Sequence, residues 1–122
     1  MGSGMPRVTA LNVTKQTCLG DQIEVAETSV TRMKGLLGRD GLAKGEGLWI
    51  VPTEGVHTFR MRFALDLVFL NKKKRVTKVV QRLKPSRMAI SLRARSVLEL
   101  PAGVIEETGT AVGDEIELSR HD

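Results

Sequence analysis

Residues 56–71 read VHTFRMRFALDLVFLN, and this stretch decides the fold. Every residue from 67 to 70 is apolar, so an extended chain would carry apolar side chains on both of its faces. A short apolar run without alternation is typical of a strand that is buried on both sides. We therefore predict that residues 66–70 form an internal strand of a β-sheet.

The segments around this strand are short and also β-patterned. Further predicted strands cover residues 7–13, 21–27, 48–51, 76–83, 96–100 and 115–118. The Gly113-Asp114 pair before the last of them is typical of a tight hairpin turn. Many short strands separated by glycine and proline favour a sandwich or a barrel. The predicted fold class is therefore mostly β (α+β), a single-domain antiparallel β sandwich or barrel with one short helix.

That helix is predicted over residues 29–37. Thr28 or Ser29 can cap its first turn, and Gly38 can end it. The apolar residues that recur at helical spacing are Val30, Met33 and Leu37, with Leu36 beside them. A helix of two to three turns depends on tertiary packing for its stability, so it should lie against the sheet. Residues 104–108, ended by Gly109, form a second and weaker candidate.

Length and composition indicate one soluble domain. The opening MGSG, residues 1–4, is typical of an expression scar, and residues 5–122 then form a single globular β-rich domain. Apolar residues make up 41% of the chain, which is enough for one core, and no apolar run approaches the ~18 residues of a membrane span. Cys18 is the only cysteine, and no signal peptide is visible. We expect a cytoplasmic protein, unless a longer precursor loses an export signal.

The net charge of +5 is unevenly distributed. Residues 72–95 contain ten basic residues and no acid, whereas seven acids and one arginine follow from Glu99 onward. The basic segment 72–95 can attract nucleic acid or another anion. Alternatively, the acidic C-terminal strand neutralises it across the sheet, and we favour this second interpretation.

Five pieces of the sequence resemble one protein family in their order and spacing. They are RMKGLLGRDGL at 32–42, GLWIVP at 47–52, HTFRMRFALDLVFLN at 57–71, VLELPAG at 97–103 and VGDEIEL at 112–118. The chain thereby resembles the domain of unknown function 192 family, which consists of small uncharacterised bacterial and archaeal proteins. The resemblance implies a jelly-roll-like sandwich or barrel with the helix of residues 29–37 packed on it. It implies no catalytic residues, because the family has none assigned.

The usual constellations of catalysis are absent from the sequence. Cys18, His57 and His121 are too few and too far apart for a zinc site, so we predict no metal and no cofactor. The chain contains no glycine-x-serine-x-glycine run and no P-loop. Asp66 and Glu99 each occur in an apolar strand, where an unpaired charge would be very costly. We therefore interpret both as structural carboxylates with satisfied partners, and we assign no catalytic residue.

The candidate ligand-binding residues lie at the start of the deciding stretch. If this segment is extended, His57 shares one face with Phe59, Met61 and Phe63, which would point toward the core. The opposite face would then hold polar and cationic side chains. With Arg87 near Pro85, the candidate set is His57, Thr58, Arg60, Arg62 and Arg87. Such an arginine patch suits a carboxylate or phosphate.

Three functions are compatible with these residues. The favoured hypothesis is a noncatalytic binding module for a small anionic ligand or a protein partner. The first alternative is nonspecific nucleic-acid binding through the basic segment 72–95, although no aromatic residue interrupts that segment. The second is a small hydrolase-like enzyme that uses His57 and Asp66. An enzyme is the less favoured class, no membrane is implied, and the oligomeric state stays open.

Overall fold

The computed structural model describes residues 4–121, so residues 1–3 and Asp122 lie outside the described part, and the predicted expression scar falls largely there. The strands in chain order are β1 (Arg7–Asn12), β2 (Thr17–Ala26), β3 (Glu46–Ile50), β4 (Gly55–His57), β5 (Leu65–Leu70), β6 (Val76–Leu83), β7 (Met88–Ile90), β8 (Ser96–Pro101) and β9 (Ile116–Arg120). The helices are α1 (Ser29–Lys34) and α2 (Val104–Thr108). This composition confirms the prediction of a mostly β fold with a short helix.

Seven of the strands form one curled sheet, a half-barrel, in the order β6-β5-β8-β3-β2-β1-β9. Neighbouring strands are antiparallel except β2 and β3, which are parallel. A separate ribbon pairs β4 with β7. The internal position of β5 confirms the prediction for residues 66–70, since all six of its residues are buried between β6 and β8.

Each face of the sheet carries its own hydrophobic core. On the inner face, Val68 and Leu70 of β5 pack with residues of both edge strands and of α2, so the sheet curls around this cluster. On the outer face, Leu67 and Phe69 pack with Leu36 and with the β4–β7 ribbon. The apolar residues of β5 therefore serve two cores, which is why the run shows no alternation.

The two edge strands of the half-barrel meet at one end. The Ile116 amide donates to the Lys74 carbonyl at 2.9 Å, and the Val76 amide donates to the Asp114 carbonyl at 2.9 Å. Arg75 and Glu115 form an ion pair of 3.5 Å at the same place, and Arg82 pairs with Glu106 at 3.5 Å. Among residues 4–121, these are the ion pairs that the basic segment 72–95 forms. The acidic C-terminal part therefore neutralises this segment only in part.

Helix α1 ends earlier than the sequence predicts. The chain leaves the helix at Gly35, which has φ of 52°, and not at Gly38. Val30 and Met33 are 76% and 81% exposed, so the predicted apolar stripe is wrong as a core-facing surface. Leu36, in the turn after the helix, is buried instead. The early turn rotates the chain so that Leu36 packs into the outer core, and the two helical residues are left facing outward.

The N-terminus of α1 is capped by Thr28, one of the two predicted caps, and Thr28 forms a capping box with Thr31. The Thr28 hydroxyl accepts from the Thr31 amide at 3.1 Å, and the Thr31 hydroxyl accepts from the Thr28 amide at 3.1 Å. We expect Thr28→Ala to lower the free energy of unfolding by about 1 kcal/mol, because an orphan amide loses its acceptor. Urea unfolding measures this change from the transition midpoint when the slope of free energy against urea concentration is the same in both proteins. Val30→Ala is the control, and equal stability of the two variants would contradict the capping role.

Candidate functional site

A cavity of about 120 Å³ lies on the outer face of the sheet, beneath α1. Its roof is formed by residues 32–37, which comprise the end of α1 and the turn that follows. Its remaining walls are Ile50, Thr53, Gly55, Val56, His57, Met61 and Glu99. The cavity is therefore assembled from three regions of the chain that are distant in sequence, namely residues 32–37, residues 50–61 and Glu99.

Glu99 is the charged side chain that the sheet contributes to this cavity. Its cross-strand neighbours are Leu48 on β3 and Leu67 on β5, both fully buried. Glu99 itself is 4% exposed, and its Oε1 atom has no hydrogen-bond partner within the described residues. Burial in this apolar setting raises the pKa of Glu99 from 4.5 to about 7, against the opposing charge of Arg39.

Arg39 does not supply the hydrogen bond that Oε1 of Glu99 lacks. Its Nη2 lies 2.7 Å from Oε1 of Glu24, on the far side of Leu48. The guanidinium thus binds one carboxylate directly and acts on the other through space. This arrangement leaves the Glu99 carboxylate free to accept a donor from a bound molecule.

The roof and mouth of the cavity are basic. Arg32, Lys34 and His57 line it, and none of them forms an ion pair within 4.0 Å in the described part of the chain. Within residues 4–121, the Arg32 guanidinium donates to the Glu27 carbonyl at 3.2 Å. The cavity therefore combines a carboxylate at its base with cationic or polar nitrogen groups nearer to solvent.

The surface beside the mouth is apolar. The His57 ring stacks on Phe59 with 5.0 Å between ring centroids, and His57 pairs with Met88 across the β4–β7 ribbon. Phe59 is 47% exposed and Met88 is 64% exposed. Met33 of α1 stands at the same mouth.

The expectation that residues 57–63 are extended is wrong. Strand β4 ends at His57, and the Met61 amide donates to the Thr58 carbonyl at 3.1 Å, which closes a turn. Arg60 occupies the left-handed region of this turn with φ of 65°. The turn exposes Phe59 and His57 and buries Thr58 completely, so the predicted assignment of faces fails. Met61 and Phe63 are half-buried against the outer core.

The turn separates the predicted ligand-binding residues. The Thr58 hydroxyl donates to the Lys84 carbonyl at 2.7 Å and accepts from the Arg87 amide at 2.8 Å. The Arg87 guanidinium lies 3.4 Å from two carbonyls of its own turn. Arg62 pairs with the exposed Asp40. Of the five predicted residues, His57 lines the cavity, and a shared role for the other four stays a prediction.

Asp66 has the satisfied environment of a structural carboxylate. Its Oδ1 accepts from the Arg82 amide at 2.9 Å. Its Oδ2 accepts from the Gly103 amide at 3.1 Å and from the Ile105 amide at 2.9 Å. It does not line the cavity with His57, so the structure does not bring these two residues together as a catalytic couple.

Glu99 does not have the satisfied partners that the sequence analysis expects, because its Oε1 has no hydrogen-bond partner within the described residues. The sequence places Asp66 and Glu99 alike in apolar strands, but Asp66 lies at the start of β5, where its side chain meets the amides that begin α2. Glu99 lies between Leu48 and Leu67, where neighbouring strands supply no donor to its side chain. The signal that distinguishes the two carboxylates is therefore cross-strand pairing, which a single sequence does not display.

Comparison with known proteins places the chain in a family. The model of the DUF192 family, described as "Uncharacterized ACR, COG1430", matches residues 10–118. The chain belongs to this family. This confirms the resemblance, and the matched range of the DUF192 model contains every residue that lines the cavity.

Relatives of this DUF192 chain match it over most of their own length. UPF0127 protein PF1050 of Pyrococcus furiosus is 34% identical over 116 residues, covering 90% of this chain and 97% of its own. UPF0127 protein PH1112 of Pyrococcus horikoshii is 30% identical, covering 87% and 95%. The crystal structure of a protein of unknown function from Novosphingobium aromaticivorans has a TM-score of 0.80 and 25% identity, covering 94% and 87%. These relatives support no specific function.

Two further observations concern residues 4–121 of this DUF192 protein. No helix there is long and apolar enough to cross a membrane. No group of three histidine, cysteine or acidic residues there is arranged to hold a metal ion.

Proposed function

We propose that this protein is a noncatalytic binding module that holds a small ligand in the cavity beneath α1. The observation that carries the proposal is the Glu99 carboxylate, which lies in the cavity wall with Oε1 unpartnered among the described residues. A buried polar group without a hydrogen bond costs about 1–3 kcal/mol. A ligand that donates a hydrogen bond to Glu99 would offset this cost. The unbound protein has no such donor within its described residues.

The lining supports binding better than catalysis. Besides Glu99 it offers Thr53 and His57, and the described lining contains no serine or cysteine nucleophile. His57 is stacked on Phe59 at the exposed side of the cavity. A perturbed carboxylate in a concave pocket is a common mark of a binding site as well as of an active site.

The charges at the mouth favour a ligand with an anionic group. Arg32 and Lys34 line the cavity without ion-pair partners in the described part of the chain. An arginine fork and a lysine ammonium both bind carboxylates well. We therefore place the anionic group of the ligand beneath α1 and a donor group against Glu99.

A fragment screen on the whole chain tests this function. We expect small polar fragments to perturb backbone amide signals of residues 32–37, 55–57 and 98–100 in nitrogen-edited NMR spectra. Glu99→Gln should weaken those fragments at least 10-fold, because the amide cannot match a charged acceptor, which corresponds to about 1.4 kcal/mol. The exposed Glu117→Gln is the matched control and should bind normally. Unchanged affinity in Glu99→Gln for every fragment, or no fragment at the cavity, would refute the proposal.

A further inference from the structure

We infer that the ligand is a small zwitterion, with an amine that donates to Glu99 and a carboxylate that contacts Arg32 and Lys34. This inference rests on the proposed function and specifies the class of ligand for the same cavity. It follows from the charges of the lining, from the partners that these charges lack, and from the volume of the cavity.

The carboxylate of Glu99 requires a donor, and preferably a cationic one. Its Oε1 is unpartnered within residues 4–121, and its neighbours across the sheet are two leucines. An ammonium group supplies three N–H donors and the opposite charge, so it can satisfy this carboxylate more completely than a neutral hydroxyl. The end of the ligand at Glu99 is therefore an amine.

The roof requires the opposite kind of group. Arg32 and Lys34 are adjacent to the same cavity, and no carboxylate lies within 4.0 Å of either in residues 4–121. Arg39 adds a third positive charge close enough to act on Glu99. A simple amine would meet repulsion from these cations, and a simple carboxylate would meet repulsion from Glu99. A molecule that carries both charges avoids both penalties.

The cavity volume limits the ligand to a few atoms. An engineered apolar cavity of about 150 Å³ accepts benzene, which has six heavy atoms. The volume here is about 120 Å³, so we expect about five or six heavy atoms. Glycine and β-alanine have this size and carry both charges. Ligands this small bind with about millimolar to micromolar affinity, so NMR titration is the suitable method.

A matched set of three probes tests the inference on the full chain. β-Alanine carries both charges, propionate carries only the carboxylate, and propylamine carries only the amine. We expect β-alanine to perturb the amides of residues 32–37, 55–57 and 98–100 at a concentration at least 10-fold lower than either single-charge probe. In Glu99→Gln, β-alanine should lose its advantage over propionate. In an Arg32→Gln/Lys34→Gln double variant, it should lose its advantage over propylamine, and Glu117→Gln should behave as wild type.

The outcomes separate this inference from the proposed function. If propionate or propylamine binds the cavity as well as β-alanine does, the zwitterion assignment is overturned and the cavity remains a binding site. If β-alanine perturbs none of these amides, the zwitterion assignment is also overturned. The fragment screen then decides the proposed function by itself, because a fragment of another class that depends on Glu99 would sustain it.

Discussion

Asp66→Ala is expected to lower the free energy of unfolding by about 4 kcal/mol, because three backbone amides lose their buried acceptor. Those amides belong to Arg82, Gly103 and Ile105. They come from the end of β6 and the start of α2, so the carboxylate joins segments that lie far apart in the chain. The side chain itself is fully buried, and water cannot easily replace its oxygens.

Urea unfolding of Asp66→Ala beside wild type measures this loss, with the slope showing whether unfolding stays two-state. Asp66→Asn is expected to fall between the two, because its amide oxygen can replace one carboxylate oxygen and its NH₂ group cannot replace the other. Asp40→Ala is the control for removal of a carboxylate. Asp40 is exposed and paired with Arg62, so its loss should change stability by less than about 1 kcal/mol. If Asp66→Ala lowered the free energy of unfolding by less than about 1 kcal/mol, the role of this carboxylate in joining β6 to α2 would be contradicted.

Glu99 should make the protein less stable as the pH rises from 4.5 to 7. The pKa of its side chain is about 7 in the folded protein and 4.5 in the unfolded reference, so the folded state binds more protons between these values. Linkage then requires that the free energy of unfolding falls with increasing pH. The contribution is fully present below pH 4.5 and is lost as the pH rises through 7, with a total change of about 3 kcal/mol.

The difference between wild type and Glu99→Gln isolates this effect from the titration of other carboxylates. A glutamine at this position cannot titrate, so the difference in free energy of unfolding should change steadily between pH 4.5 and 7 and level off above about pH 8. Urea unfolding at several pH values across this range is sufficient. A difference that stays constant with pH would show that Glu99 is paired or solvated in solution.

The strand pattern was predictable where a local signal determines it. The residues of this strand after Asp66 are apolar on both faces because β5 packs into two cores. This requirement is visible in the sequence, since it affects adjacent positions. The end of α1 was not predictable in this way. Gly35 and Gly38 can both end a helix, and the choice depends on where Leu36 finds a place in the outer core.

The candidate site was less predictable because its decisive features are not local. The turn after β4 places Arg60 in a left-handed conformation that is uncommon for residues other than glycine, so no sequence signal announces it. Glu99 becomes a cavity residue because Leu48 and Leu67 flank it and because Glu24 engages Arg39. The sequence analysis selected His57 by its residue type, whereas the place of Glu99 in the same cavity depends on the strand register.

The roof of the cavity is attached to the rest of the protein by very few contacts. None of the six residues of α1 is buried, and the buried anchor nearest to it is Leu36. Segments with few buried apolar contacts open at low free energy, independently of global unfolding. We therefore expect α1 to open locally more readily than the sheet that keeps Glu99 in place. Rates of ligand entry and release would then be governed by the fraying of one short helix, and the affinity by the rigid strands beneath it.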